Sequence, residues 1–257
     1  MEYAHLKIRI SNERCLDEVF SALRVLGFVG VNVTSPYKHA VVPRLDTVDD
    51  YAARIGAVNA IRIARGKLHG CNTDAIGARL AIKQGAGRRI EKGEIVVLFG
   101  TGGAAKAIAT ALIEEGAILT VFYRRPISPN TLDFKARFSG RLTLLPDDGE
   151  RVENAVAQAT IVCNATSAGM IPSVECLPFP DCVRLPVAGA RPKLFFDAVY
   201  KPLHTRFLKE AIAAGHVIVD GLGMLLYQGA EAFRLWTGVM PSRGAIHAGE
   251  HTLRSGL

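Results

Sequence analysis

Apolar and polar positions in the first third of the chain follow two periods. Period-two segments predict strands, and spacings of three and four residues predict helices. The strands are predicted at residues 4–10, 29–34, 57–63 and 67–70. The helices are predicted at residues 16–26, 36–45 and 74–83. Arg65-Gly66 suits the turn between the last two strands, so this third of the chain is predicted to form a small α/β unit.

The pattern changes after Glu94, where the strands become continuous apolar runs. Ile95 to Phe99 is one such run, and Ile118 to Tyr123 is the next, with an alanine-rich helix between them. Strands that are apolar on both faces are typical of a parallel sheet covered by helices. Residues 95–123 therefore predict a βαβ unit. Later strands are predicted at 160–163, 194–197 and 217–219, a proline-rich loop at 171–193, and a last helix at 223–238.

Composition places the chain among globular proteins. Hydrophobic residues make up 49% of its 257 residues, and no stretch approaches the roughly 20 apolar residues that span a bilayer. The first residues lack an apolar signal core, and five cysteines without Cys-x-x-Cys spacing indicate reduced thiols, a cytoplasmic location and no metal site. The net charge of +7 is scattered, which favours small anionic ligands over nucleic acid.

A glycine-rich turn lies between the first buried strand and its helix. Glycines at positions 100, 102 and 103 let backbone N–H groups approach a pyrophosphate at the helix N-terminus, although such turns often only end a strand. Arg124 and Arg125 follow the next strand, where an NAD-binding unit usually carries Asp or Glu. Two guanidiniums suit a 2′-phosphate, so NADP is favoured over NAD, the alternative being a solvated basic turn.

A lysine and a carboxylate could meet in one site. Pro36 suits the first position of a helix, which would place Lys38 in its first turn. The positive end of a helix dipole disfavours an ammonium, and this suits a lysine that exchanges protons near neutral pH. Asp74 could supply the carboxylate. The alternatives are a solvated lysine and an aspartate that only caps the helix after it.

Seven motifs in one order identify a family resemblance. They are Asn-Val-Thr-x-Pro-Tyr-Lys (32–38), Gly-Ala-Val-Asn (56–59), Gly-Cys-Asn-Thr-Asp-Ala-Ile-Gly (70–77), Gly-Thr-Gly-Gly-Ala (100–104), Asn-Ala-Thr-Ser-Ala-Gly-Met (164–170), Phe-Asp-Ala-Val-Tyr-Lys-Pro (196–202) and Gly-Leu-Gly-Met-Leu-Leu-Tyr-Gln (221–228). From about residue 3 to residue 240 the chain resembles the shikimate dehydrogenases, including the quinate/shikimate group. The resemblance implies NADP-dependent hydride transfer between 3-dehydroshikimate and shikimate, or a related alicyclic hydroxy acid such as quinate.

The resemblance also implies two domains with a cleft between them. Residues 1–73 with 224–257 would form a smaller α/β substrate domain, and residues 74–223 a Rossmann-like, parallel-sheet NADP domain. The implied catalytic pair is Lys38 and Asp74. The implied substrate contacts are Thr34, Asn59, Tyr200 and Gln228. The implied cofactor contacts are Gly100, Thr101, Gly102, Gly103, Ala104, Arg124, Arg125, Asn164, Thr166, Gly221 and Met224, the last near the nicotinamide.

The chain departs from the family before Asn32. Family members begin with another strand and helix, whose serine-x-serine pair binds the substrate carboxylate, and no such pattern is visible here. A shortened sequence, a different substrate and a protein that binds without turnover would each explain this. The alternative functions are therefore a nucleotide- or metabolite-sensing module and a related lysine-using dehydrogenase of the folate type. A homodimer could cover the sheet edge that the missing unit would expose.

Overall fold

The computed structural model describes residues 4–34 and 36–256, so Met1 and Ser35, the variable position of the first motif, lie outside the described residues. The chain divides into two compact units, residues 1–72 and residues 73–257. Both mix helices with strands, as the hydrophobic pattern predicts. Among the described residues, no helix is both long and apolar enough to cross a bilayer.

The first unit is built on a four-stranded sheet. Its strands are β1 (Gly30–Asn32), β2 (Thr47–Val48), β3 (Ala60–Ala64) and β4 (Lys67–Cys71), and its helices are α1 (Leu16–Val25) and α2 (Asp50–Ile55). The order is β1-β3-β4-β2, with β2 parallel to β4 and the other pairs antiparallel. The predicted hairpin is confirmed: Arg65 and Gly66 both have positive φ (48° and 71°), as a tight turn of this hand requires.

The predicted strand at residues 4–10 is wrong. The described residues of this segment pair with no strand, and Leu6 and Ile8, two apolar members of the alternating pattern, are 65% and 49% exposed. Alternation identifies a strand only where one set of side chains is buried, and among these apolar residues only Ile10, at the end of the segment, packs against the core of the first unit.

The predicted helix from Pro36 to Leu45 is also wrong. The chain makes successive turns over residues 36–41 and then a short 3-10 helix, Val42–Arg44. Pro43 has no N–H to donate and disfavours a helical residue before it. In addition, the Lys38 carbonyl accepts a hydrogen bond from the Val58 N–H (2.8 Å), and the Val42 N–H donates to His39 instead. Lys38 therefore lies in a turn held by its own backbone.

The second unit is a six-stranded, wholly parallel sheet with helices on both faces. Its strands are β5 (Ile95–Phe99), β6 (Ile118–Tyr123), β7 (Thr143–Pro146), β8 (Ile161–Asn164), β9 (Leu194–Asp197) and β10 (Val217–Val219). Its helices are α3 (Asp74–Gly85), α4 (Gly103–Glu114), α5 (Pro129–Arg137), α6 (Gly149–Gln158), α7 (Arg206–Ala213), α8 (Leu222–Thr237) and α9 (Arg243–Gly256). The order β10-β9-β8-β5-β6-β7 reverses direction at β5, the doubly wound arrangement of dinucleotide-binding sheets.

Alternating strand residues fill two cores in this unit. Val96 and Leu98 of β5 pack in the core that includes α3, α4 and Met224 of α8. Val97 and Phe99 pack on the opposite face, in the core that includes α6 and α7. Because both faces are covered, the strands read as continuous apolar runs, and the predicted bounds of β5 and β6 are confirmed.

The hydrophobic pattern did not identify β7 or α9. Strand β7 has four residues, ends in Pro146 and pairs only with β6, so it is a short edge strand, the setting in which proline is tolerated. Helix α9 buries no residue completely but is joined to the rest of the unit by the Arg254–Asp220 ion pair (2.8 Å). Segments that bury little leave a weak hydrophobic pattern.

Close packing of α3 against α8 leads to a test of stability. A Cβ atom at Gly77 would lie 2.7 Å from the Met224 carbonyl oxygen and 3.0 Å from the Gln228 nitrogen, both backbone atoms. We expect Gly77→Ala to lower the free energy of unfolding by about 1–2 kcal/mol, because overpacking outweighs the gain in helix propensity. The matched control is Gly229→Ala in α8, where a Cβ meets nothing within 4 Å and should raise stability by about 0.5–1 kcal/mol. Equal urea midpoints for the two variants would contradict the packing argument.

Candidate functional site

The glycine-rich turn joins β5 to α4. Gly100 has a φ of +106°, and a Cβ there would lie 3.0 Å from the Ala165 carbonyl oxygen, so the position requires glycine. Gly102 is the N-cap of α4 and Gly103 its first residue, and a Cβ on either would enter open space. The first amide groups of α4 therefore lie beside a space that an anion can enter.

A cavity of about 370 Å³ opens at this turn. Six of the residues that the sequence assigned to the cofactor line it: Gly100, Thr101, Gly102, Arg124, Arg125 and Thr166. Both arginines are exposed, and the Arg124 guanidinium reaches the Leu177 carbonyl at 3.4 Å. The lining thus brings a helix N-terminus and two guanidiniums into one cavity, a combination suited to a ligand with more than one phosphate group.

Ser128, Thr131 and Asp147 are among the further lining residues that were not identified from the sequence. Ser128 caps α5 by accepting a hydrogen bond from the Thr131 N–H (3.2 Å), and the Thr131 hydroxyl lies 3.0 Å from that of Thr101. The Ser128-Pro129 pair, an N-cap followed by proline at the first helical position, is the signal that could have found this helix start. Asp147, the third residue, follows the unpredicted strand β7.

Asn164 is fully buried at the end of β8, two residues before Thr166 of the cavity lining. Its side-chain oxygen accepts hydrogen bonds from the Thr166 N–H (2.9 Å) and hydroxyl (2.7 Å). Its amide nitrogen donates to the Ala168 carbonyl (3.2 Å) and to Asp197 Oδ1 (3.0 Å). Asn164 therefore shapes the loop after β8 that presents Thr166 to the cavity.

Asp197 joins that loop to the loop after β9. Its carboxylate accepts hydrogen bonds from Asn164, from the Val199 N–H (2.9 Å) and from the Thr205 hydroxyl (2.6 Å). Burial raises the pKa of Asp197 from its ordinary value of 3.8 to about 6, although these three donors favour the charged form and oppose the shift. Tyr200, a predicted substrate contact, follows on the same loop and is 39% exposed.

Ala104 follows Gly103 in α4, and the remaining predicted residues of the second unit lie on α3 and α8 or at their starts. Asp74 is the first residue of α3 and is 8% exposed, where the helix dipole favours a carboxylate. The Thr73 hydroxyl lies 3.5 Å from the side-chain oxygen of Gln228 in α8. Thr73, which precedes Asp74, therefore contacts a residue that is predicted to bind the substrate. Met224 is 7% exposed and packs in the core, and Gly221 packs against the Ala198 carbonyl, where a Cβ would come within 2.4 Å.

The predicted residues of the first unit lie close together through backbone hydrogen bonds. The Val58 N–H donates to the Lys38 carbonyl (2.8 Å), which brings the turn of Lys38 beside Asn59, a residue that is 2% exposed. The Asn59 carbonyl accepts from the Val33 N–H (2.8 Å), the residue before Thr34. Thr34 is exposed and lines a second cavity of about 340 Å³, which is mostly apolar. Lys38, Asn59 and Thr34 thus lie on neighbouring segments of one unit.

Within residues 4–34 and 36–256, no cluster of three His, Cys, Asp or Glu side chains is arranged to hold an ion. All five cysteines are free thiols.

Family models match both ends of the chain. A model described as the shikimate dehydrogenase substrate binding domain matches residues 1–61, and one described as the shikimate 5′-dehydrogenase C-terminal domain matches residues 221–248. A shikimate dehydrogenase (NADP⁺) of Methanocaldococcus jannaschii is 35% identical over 249 residues, 94% of this chain and 83% of the relative.

Two solved structures are similar to this chain in fold. The shikimate 5-dehydrogenase of Thermus thermophilus, in complex with NADP(H) and shikimate, is 36% identical with a TM-score of 0.78, over 95% of this chain and 85% of that one. The quinate dehydrogenase of Corynebacterium glutamicum, in complex with NAD, is 32% identical with a TM-score of 0.79, over 93% and 82% of the two chains.

Titration of the buried Asp197 carboxyl gives a test of the hydrogen-bond network that joins Asn164, Asp197 and Thr205. Its pKa is higher in the folded state than in the unfolded state, so its contribution to stability is full below about pH 4 and is lost as the pH rises through about 6. A shift of about two pKa units corresponds to a contribution on the order of 3 kcal/mol. Between pH 4 and pH 7, the wild type should therefore lose on the order of 3 kcal/mol of stability relative to Asp197→Asn, measured by urea unfolding.

A second variant checks the cause of that titration. Thr205→Val removes a hydrogen bond that favours the charged carboxylate, so in this variant the loss of stability should occur at a higher pH than in the wild type. Parallel pH profiles for the wild type and Asp197→Asn would show that Asp197 does not titrate in this range.

Proposed function

The chain belongs to the shikimate dehydrogenase family, and on this premise we propose that it interconverts 3-dehydroshikimate and shikimate, or a related alicyclic hydroxy acid such as quinate, with NADP. The observation that carries the proposal is the Gly100–Gly103 turn, which opens onto a cavity lined by Arg124 and Arg125. The cavity occurs in a chain that shares about a third of its residues with NADP-dependent relatives along more than nine tenths of its length.

The lining of the cavity supports the choice of NADP. We propose that the amides at the start of α4 hold the pyrophosphate, that Arg124 and Arg125 hold the 2′-phosphate, and that Thr166 contacts the cofactor from the loop after β8. Space for a ligand is present where Gly102 and Gly103 lack side chains. Bound NADPH supplies a hydride from its nicotinamide ring.

The remaining predicted cofactor contacts are not among the residues that line this cavity. The contact of Met224 with the nicotinamide stays a prediction, and so do the contacts of Ala104, Gly103 and Gly221. For Asn164 we propose an indirect role, because its polar atoms already bind the backbone and side chains of the neighbouring loops.

Proton transfer is assigned to Lys38 and Asp74. Reduction of a ring carbonyl leaves an oxygen that needs a proton, and we propose that the Lys38 ammonium donates it and takes it back in the oxidation direction. The Asp74 carboxylate would favour the charged lysine. We propose that Thr34, Asn59, Tyr200 and Gln228 hold the ring hydroxyl groups and so fix the carbonyl for reaction.

Three broader assignments stay proposals. The assignment of residues 224–257 to the substrate domain rests on the family resemblance. A cytoplasmic location is supported by five free thiols. A homodimer rests only on the need to cover a sheet edge.

Substitution of Lys38 tests the proposed reaction. Lys38→Ala should lower kcat for NADPH formation by about 10²–10⁴-fold, because it removes the proton-transfer group, while NADP still binds. The assay follows NADPH absorbance with shikimate and, separately, quinate. The control is Lys67→Ala, which removes an exposed lysine of the same unit that pairs with Asp46. Wild-type NADP binding without turnover of either acid would support the sensing module instead.

Substitution of Arg124 tests the cofactor assignment. Arg124→Ala should weaken NADP binding by about 10-fold or more, since a charge-assisted contact is worth roughly 1.5–3 kcal/mol, and should affect NAD much less. Arg141→Ala, which removes another exposed arginine of the second unit, is the matched control. An NADP affinity insensitive to Arg124, together with tighter binding of NAD, would overturn the assignment.

A further inference from the structure

A carboxylate shares the cavity with the two arginines. We propose that Asp147 limits the preference of this chain for NADP over NAD by placing a negative charge beside the site of the 2′-phosphate. This inference rests on the proposed function, because it concerns the cofactor of the same reaction. Neighbouring residues of one cavity thus have opposing effects on the choice of cofactor.

The backbone fixes the position of Asp147. It follows Pro146, the last residue of β7, which is paired with Tyr123 at the end of β6. The Asp147 N–H donates to the Tyr123 carbonyl (3.0 Å), so the residue lies beside the point where the chain continues into Arg124 and Arg125. Asp148, the next residue, is exposed and does not line the cavity.

The electrostatics of Asp147 indicate that its charge acts through space. Burial raises the pKa of its carboxyl, while hydrogen bonding to its own backbone and the positive charges of Arg124 and Arg125 act in the opposite direction. In the described part of the chain, no Lys, Arg or His forms an ion pair with Asp147. The carboxylate is therefore near the guanidiniums without being neutralised by direct contact.

A carboxylate at the position of Asp147 affects the binding of NADP and of NAD differently. A phosphate monoester carries a charge of about −1.5 to −2 at pH 7, so a nearby carboxylate repels the 2′-phosphate of NADP. NAD has a hydroxyl group there, which carries no charge and can donate a hydrogen bond to a carboxylate. Arg124 and Arg125 favour NADP, and Asp147 reduces that advantage.

The test compares two neighbouring aspartates by calorimetric titration with NADP and with NAD. Asp147→Asn keeps the shape of the side chain and removes its charge, and we expect the ratio of the NAD Kd to the NADP Kd to rise about threefold to tenfold. Asp148→Asn, the matched control, should leave this ratio within about a factor of two, because an exposed charge outside the cavity is screened. The effect of Asp147→Asn should also shrink as salt is added.

Smaller ligands test whether the effect of Asp147→Asn on binding arises at the 2′-phosphate. Adenosine 2′,5′-bisphosphate and adenosine 5′-monophosphate differ by the same phosphate and lack nicotinamide, so Asp147→Asn should change their Kd ratio in the same direction. An unchanged ratio in either pair, or equal changes with both aspartate variants, would overturn the inference while leaving the proposed function intact. If the folded wild type binds neither NADP nor NAD, the proposed function itself fails.

Discussion

Hydrogen bonding between parallel strands determines the layout of the second unit. Neighbouring parallel strands cannot be joined by tight turns, so each connection must cross a face of the sheet, and here helices α4 to α7 make most of these crossings. The carboxyl ends of all six strands consequently lie at one edge. The sheet order reverses at β5, and the residues that follow β5, β6, β7 and β8 line one cavity there. The glycine turn, the arginine pair, Asp147 and Thr166 are neighbours for this reason.

A buried polar network gives two loops at that edge a defined shape. Asn164 and Asp197 end adjacent strands, and each uses its side chain to bind the backbone of its own loop and the other residue. Loops would otherwise leave buried backbone groups unpaired, at a cost of about 1–3 kcal/mol for each. The network is fully satisfied, since the described residues contain no buried side-chain N or O atom without a hydrogen-bond partner. Thr166 and Tyr200 are presented by loops that the sheet itself supports.

Backbone hydrogen bonding places Lys38, although the sequence suggested a helix N-terminus. Pro43 prevents a regular helix, and the Lys38 carbonyl binds the Val58 N–H instead of the residue four positions later. The dipole argument for a reactive lysine therefore loses its structural basis. The proposal for Lys38 stands on family membership and on its position beside Asn59. The predicted residues of the first unit are thus positioned by hydrogen bonds between backbone segments. Those that line the cavity of the second unit follow the ends of strands.

Local patterns determined much of this protein. Continuous apolar runs predicted the bounds of β5 and β6 correctly, Arg65-Gly66 predicted the hairpin turn, and the order of the motifs identified the family. Only the tertiary structure decided which distant residues share an environment. Asp147 lines the cavity because β7 pairs with β6. Asn164 can hydrogen-bond to Asp197 and stabilise the loop after β8 because β8 lies beside β9. Periodicity reports which face of a segment is buried, but it carries no information on the partner strand, and the partner decides where the side chains at a strand end are placed.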